Sequence, residues 1–125
     1  MSDEIPEWPV EISYASTGKF KHFAKKNAAE NTSLFANLEK IMRLLRAGHK
    51  IGGFSIGFFR SEGEEVYRIG QTSVRAAKES RLYVYPDERK TMYILTIGNK
   101  GTQQDDINEA KRIVKQIKSQ TSQTE

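Results

Sequence analysis

The chain has 125 residues, no cysteine, two histidines and a formal net charge of +4. That length suits one small domain with a core of its own and is short for two. The missing thiols exclude disulfides, thiolate nucleophiles and cysteine-based zinc sites, and His22 and His49 lie far apart in sequence, so neither a metal nor another cofactor is expected.

The surplus of Lys and Arg favours an anionic partner, either nucleic acid or an acidic protein. The opening MSDEIPEWPV has neither a basic n-region nor an apolar h-region, and no apolar run reaches bilayer length. The expected location is the cytoplasm, with no membrane contact.

Residues 1–9 read as an extended acidic arm with Pro6 and Pro9, in which Ile5 and Trp8 pin the end to the body. Val10, Ile12 and Tyr14 alternate with polar residues, which predicts a half-buried first strand. Ser16 and Thr17 offer N-cap oxygens to a helix with Phe20, Phe23 and Ala24 on one side, and Lys19, Lys21, Lys25 and Lys26 read as its solvated face. A break at Asn31-Thr32-Ser33 predicts the cap of a second helix. Its apolar residues Leu34, Leu38, Ile41, Met42 and Leu45 form one stripe, and Gly48 suits its C-cap.

Residues 51–65 read as an added strand or an ordered loop, because glycines at 52, 53 and 57 dilute the alternation of Phe54, Ile56 and Phe58. A polar turn, SEGEE, leads into a strand at 66–69. Two β-prone runs, 81–86 and 91–98, are joined by Asp87, Glu88, Arg89 and Lys90, a hairpin signature. The segment between 70 and 80 predicts a loop over one sheet edge. The run 91–98 is apolar on both faces, as a central strand is. Thr102 and Asp105 have capping-box spacing before a helix with Ile107, Ala110, Ile113, Val114 and Ile117 on one stripe. Residues 119–125 hold nothing apolar and read as a disordered tail.

This order predicts a single α+β domain over 10–118, a small antiparallel sheet with an N-terminal helical pair and a C-terminal helix. The helices cover one face and leave the other partly open. The exposed ends and faces of the stretch 66–100 carry Arg68, Arg75, Lys78, Arg81 and Lys100. Arg81 also reads as a strand-end residue paired with Glu79 or Asp87. Tyr83, Tyr85 and Tyr93 read either as cross-strand packing or as platforms for bases.

At Tyr67-Arg68-Ile69, Arg81-Leu82-Tyr83-Val84-Tyr85 and Leu95-Thr96-Ile97-Gly98-Asn99-Lys100 the sequence resembles the RelE/ParE/HigB superfamily of toxins from type II toxin–antitoxin systems. The resemblance implies a RelE-like α+β domain over roughly 10–118. It further implies a ribosome-dependent messenger RNA endonuclease, with an antitoxin protein, messenger RNA and the ribosome as partners. It assigns catalytic positions to Arg68, Arg81 and Lys100, while Arg75 and Lys78, in a 70–80 loop longer than in compact members, and Tyr83 on its strand are the candidates for RNA contacts. Many RNA-cleaving members carry a Tyr or His near the last helix, where this chain has Gln103, Gln104, Asp105, Asp106 and Ile107. Tyr83 or Tyr85 is then the substitute acid/base group. A ParE-type poison of DNA gyrase and a catalytically silent binding module of the same fold are the alternatives.

Overall fold

The computed structural model describes residues 7–75 and 78–123. Ile5 of the N-terminal arm and the middle of the 70–80 loop lie outside the described residues. In chain order the elements are β1 (Val10–Glu11), α1 (Thr17–Lys26), α2 (Ala28–Arg46), β2 (Phe59–Gly63), β3 (Val66–Gly70), β4 (Ser80–Pro86), β5 (Met92–Asn99) and α3 (Gln103–Gln123). Short 3-10 turns occupy Ile51–Gly53 and Lys100–Thr102.

The sheet is five-stranded and mixed, in the order β1-β5-β4-β3-β2. Strands β2 to β5 form an antiparallel meander, while β1 lies parallel to β5 with Val10 opposite Met92. The expected three antiparallel strands are thus the centre of a wider sheet. The first strand is only two residues long, and Val10 at 47% exposure and Ile12 at 44% do not form the half-buried face that their alternation predicts.

Helices cover both faces of the sheet, which corrects the expectation that one is left open. Leu82, Val84, Ile94 and Ile97 pack with Phe20, Phe23, Leu34, Leu38 and Ile41 of α1 and α2. Tyr83, Tyr85 and Leu95, pointing the other way, pack with Ile107, Ala110, Ile113, Val114 and Ile117 of α3. The physical reason is that β4 and β5 are apolar on both faces, and a strand of that kind has to be covered on both. Each large apolar side chain so buried contributes about 1.5–3 kcal/mol. A bulge sharpens the division: Tyr83 pairs with Thr96 and Val84 with Ile94, so Leu95 is the extra residue and turns with Thr96 toward α3.

Local signals act as expected at several ends. Ser16 caps α1, its Oγ accepting from Lys19 N at 3.3 Å, and Gly48 follows α2 at φ 96°. The break between the first two helices falls at Asn27 instead of at Asn31-Thr32-Ser33. Thr32 stays helical with its hydroxyl bonded back to Ala28 O at 3.0 Å. Helix α3 continues to Gln123, beyond the point where the sequence suggests a tail, and the Tyr14 hydroxyl donates to Gln120 Oε1 on its last turns. Trp8 is buried, as the arm reading requires, and Arg46 Nη2 holds its carbonyl at 3.0 Å.

Candidate functional site

The site begins with a tight turn. Glu64 and Glu65, both at positive φ after Gly63, reverse the chain so that Arg60 pairs with Arg68 and Phe59 with Ile69. Side chains alternate along a strand, so Phe59 and Ile69 enter the core under α2 while Arg60 and Arg68 take the opposite face. Arg68 in turn pairs with Tyr83, and Gly70 with Arg81. Three arginines from three adjacent strands therefore share the face that carries α3, where the helix leaves one end of the sheet uncovered.

There they line a groove of about 200 Å³ together with Gly57, Phe58, Gly70, Gln71 and Glu79. Arg60 is exposed. Arg68 is half-buried, its Nε 3.3 Å from Glu62 Oε2. Arg81 is 8% exposed, donates from Nη1 to Gln103 Oε1 at the start of α3, and lies 3.8 Å from Glu79 Oε2. The pairing of Arg81 with Glu79 and its place in the groove thus coexist. Asp87, the other candidate partner, instead accepts from the backbone N–H groups of Arg89 and Thr91 in the hairpin turn.

The remaining sequence candidates divide. Lys100 is exposed outside the groove lining, one strand further along, with its N–H bonded to Glu79 O at 2.8 Å. Lys78 is exposed beside it, close enough that a Cβ on Gly101 would meet its Nζ at 2.8 Å. Arg75 is exposed on the β3–β4 connection. Tyr83 is 0% exposed within the α3 core, so its ring offers no face on which a base can stack. Burial, and then the Asp106 carboxylate, push its phenol up to about 12, and the same causes of burial and nearby carboxylates raise Tyr85. Neither ionises near neutral pH.

Sequence reasoning missed Arg60 and Glu62 as parts of the site, and it offers Glu79 only as a partner for Arg81 and Gln103 only as a residue at the start of the last helix. Only the β2–β3 register reveals Arg60, and that register depends on a turn made by two glutamates.

A guanidinium presents a rigid fork that matches phosphate oxygens, and three of them set against two carboxylates, Glu62 beside Arg68 and Glu79 in the lining, leave the groove with a surplus of positive charge. Such a groove can hold a phosphate and oppose charge that builds on it. By contrast, a larger cavity of about 390 Å³, lined by Trp8, Leu45, His49, Lys50, Asp87, Glu88 and Lys90 among others, sets Lys50 and Lys90 against Asp87 and Glu88 with no surplus of cations among these side chains.

A second polar cluster lies along the edge of β5 beyond Met92 and Tyr93, the two residues that β1 pairs. Lys19 is not a solvated residue: its Nζ reaches Thr96 Oγ1 at 2.7 Å, Asp106 Oδ1 at 2.8 Å and Glu109 Oε1 at 2.8 Å. It joins the α1 layer to the α3 layer around the sheet edge. Asp106 also accepts from the Thr102 hydroxyl, which fixes the first turn of α3 and so the position of Gln103 against Arg81. No group of three metal-ligating side chains occurs among the described residues, and no helix among them is long and apolar enough to cross a membrane.

Comparison with family models found no match to the chain, and comparison with curated proteins and with solved structures found none either.

Proposed function

We propose that the chain is the toxin of a type II toxin–antitoxin pair and cuts messenger RNA on the ribosome, with the arginine groove as the seat of the scissile phosphate. The observation that carries this reading is the convergence of Arg60, Arg68 and Arg81 on one groove at the uncovered end of the α3 face. In it, Arg68 and Arg81 offset charge on the phosphorane formed by attack of the 2′-hydroxyl. Glu79, whose side chain is 72% exposed beside Arg81, accepts the 2′-hydroxyl proton, and the P–O5′ bond then breaks to leave a 2′,3′-cyclic phosphate and a 5′-oxygen that takes its proton from solvent. Arg60, Lys78 and Lys100 hold flanking phosphates. The implied antitoxin is an acidic segment that folds over this basic end, and both partners meet in the cytoplasm.

The test is primer extension on a defined message in a reconstituted translation reaction, with and without ribosomes. Ribosome-dependent cuts in phase with codons, lost in Arg81→Ala, are the expected result. An intact message alongside normal translation refutes the reading. One observation favours a second reading, a silent binding module or a ParE-type poison of gyrase: Arg68 and Arg81 each already face a carboxylate, and no histidine lines the groove. That protein would bind RNA or a partner and leave the message whole.

A further inference from the structure

Among the described residues, the Tyr83 hydroxyl is the buried side-chain polar atom without a hydrogen-bond partner. If the residue served the core alone, phenylalanine would fill the same space without stranding a hydroxyl. What surrounds the ring explains the choice. Arg81 is two residues back on the same strand and so on the same face, and Arg68 is directly opposite on β3. Both line the groove. Toward the core, Tyr85, Val66 and Leu95 share its cluster. Tyr83 therefore stands at the boundary between the apolar packing under α3 and the cationic end of the sheet. The charges that act on its phenol are those of Asp106, Arg81, Glu62 and Arg68.

We infer that Tyr83 is a ligand of the groove: its hydroxyl donates a hydrogen bond to an oxygen of a phosphate seated between Arg68 and Arg81. The inference rests on the groove as an anion site and not on RNA cleavage. The phosphate reaches the phenol when Arg81 exchanges its contacts with Gln103 and Glu79 for contacts with the phosphate. Two guanidiniums and one neutral hydroxyl then donate to the same tetrahedral oxyanion. The donor is permanent at physiological pH, because the phenol keeps its proton there.

The experiment compares wild type, Tyr83→Phe, Tyr85→Phe and Arg81→Gln in two measurements. One is the affinity for inorganic phosphate and for a labelled pentaribonucleotide. The other is Tm with and without phosphate. Tyr83→Phe should melt at or above the wild-type Tm without ligand, since it removes an unpaired buried hydroxyl. It should also bind phosphate about tenfold more weakly and show a smaller ligand-induced rise in Tm. Tyr85→Phe changes a tyrosine on the same strand and face that is farther from the arginines, and it should bind as wild type does. Equal affinity in wild type and Tyr83→Phe, with Arg81→Gln impaired, overturns the role of Tyr83 and leaves the groove standing. Equal weakening in Tyr83→Phe and Tyr85→Phe overturns it too, since loosened packing would be the cause. No binding of either probe by wild type overturns the groove and this inference together.

Discussion

Gly98→Ala sets two physical effects against each other. In a strand, alanine replaces glycine with a gain of about 0.5–1 kcal/mol from backbone entropy. At this position a Cβ would stand 1.9 Å from Asp106 Oδ2 and 2.6 Å from Thr102 Oγ1. Neither atom is free to retreat. Thr102 Oγ1 is bonded to the N–H and carbonyl of Asn99 and to Asp106, and Asp106 Oδ1 holds Lys19 Nζ at 2.8 Å. The carboxylate is 3% exposed, so moving it off Lys19 strands a buried charge. Overpacking costs about 1–3 kcal/mol and breaking a buried ion pair about 3–5 kcal/mol, the latter reduced because Glu109 stays with Lys19. The expected net loss is about 2–4 kcal/mol, read as a lower urea midpoint at pH 7. A Gly98→Ala protein as stable as wild type, or more so, refutes the steric argument. With Asp106→Ala in the background the same change should cost less, about 1–2 kcal/mol, because the contact with Thr102 Oγ1 at 2.6 Å remains. Additive losses in the double variant would place the clash elsewhere.

Other outcomes follow from the two polar clusters and the arm. Burial pushes Lys19 down, but its bonds to Asp106 and Glu109 outweigh this and hold it above 10.5; burial raises Glu109, and the bonds from Lys19 and Thr96 carry it below 4.5. Stability from Glu109 is therefore complete above pH 4.5 and lost as pH falls through its lowered value. Stability from Lys19 is complete below pH 10.5 and lost as pH rises through its raised value. Lys19→Met should flatten both shoulders of a urea-midpoint profile against pH, and unchanged shoulders would contradict the assignment. Arg60→Ala should weaken binding of a short RNA and reduce the magnitude of the salt slope by about 0.7 for each phosphate that Arg60 neutralises; an unchanged slope would remove Arg60 from the groove. On the proposed function, Glu79→Gln should bind that RNA more tightly and cut message more slowly, whereas slower cutting with weaker binding would point to lost structure. Arg46→Ala should release the Trp8 backbone and shift its emission to the red, read directly because the chain has one tryptophan.

Elements with a clean period are legible in the sequence, and their placement is less so. The stripe from Ile107 to Ile117 and the alternation of Leu82 and Val84 against Tyr83 and Tyr85 give helix and strand without ambiguity. That α3 lies opposite α1 and α2 is implicit in the double apolar character of 91–98, because a strand with two apolar faces needs two covers. The site divides in the same way. Arg68 and Arg81 are legible as cations on predicted strands. Arg60 is hidden because Glu64-Glu65 carries none of the Asn-Gly or Asp-Gly chemistry that marks such a turn. The α3 lysines support that turn instead, Lys111 Nζ at 3.5 Å from Glu64 and Lys118 Nζ at 2.7 Å from Glu65. Tyr83 illustrates a further limit, since alternation assigns it to a face but does not say how far α3 extends across that face. Lys19 reads as solvated because its partners lie about ninety positions downstream.

The parallel pairing of Val10 with Met92 has a consequence for the order in which the chain is made. Synthesis proceeds from the N-terminus at about 5–20 residues per second, so β1 waits roughly 4–16 seconds for its partner strand. The helical pair waits as well, with Leu34 and Ile41 lacking a sheet to cover until β4 and β5 have been translated. The groove is later still, because Arg81 meets Gln103 only when the final helix has been added. A nascent chain therefore carries its arginines past its own ribosome before the architecture that gathers them exists. Completion of the last helix is the event that assembles the cationic site.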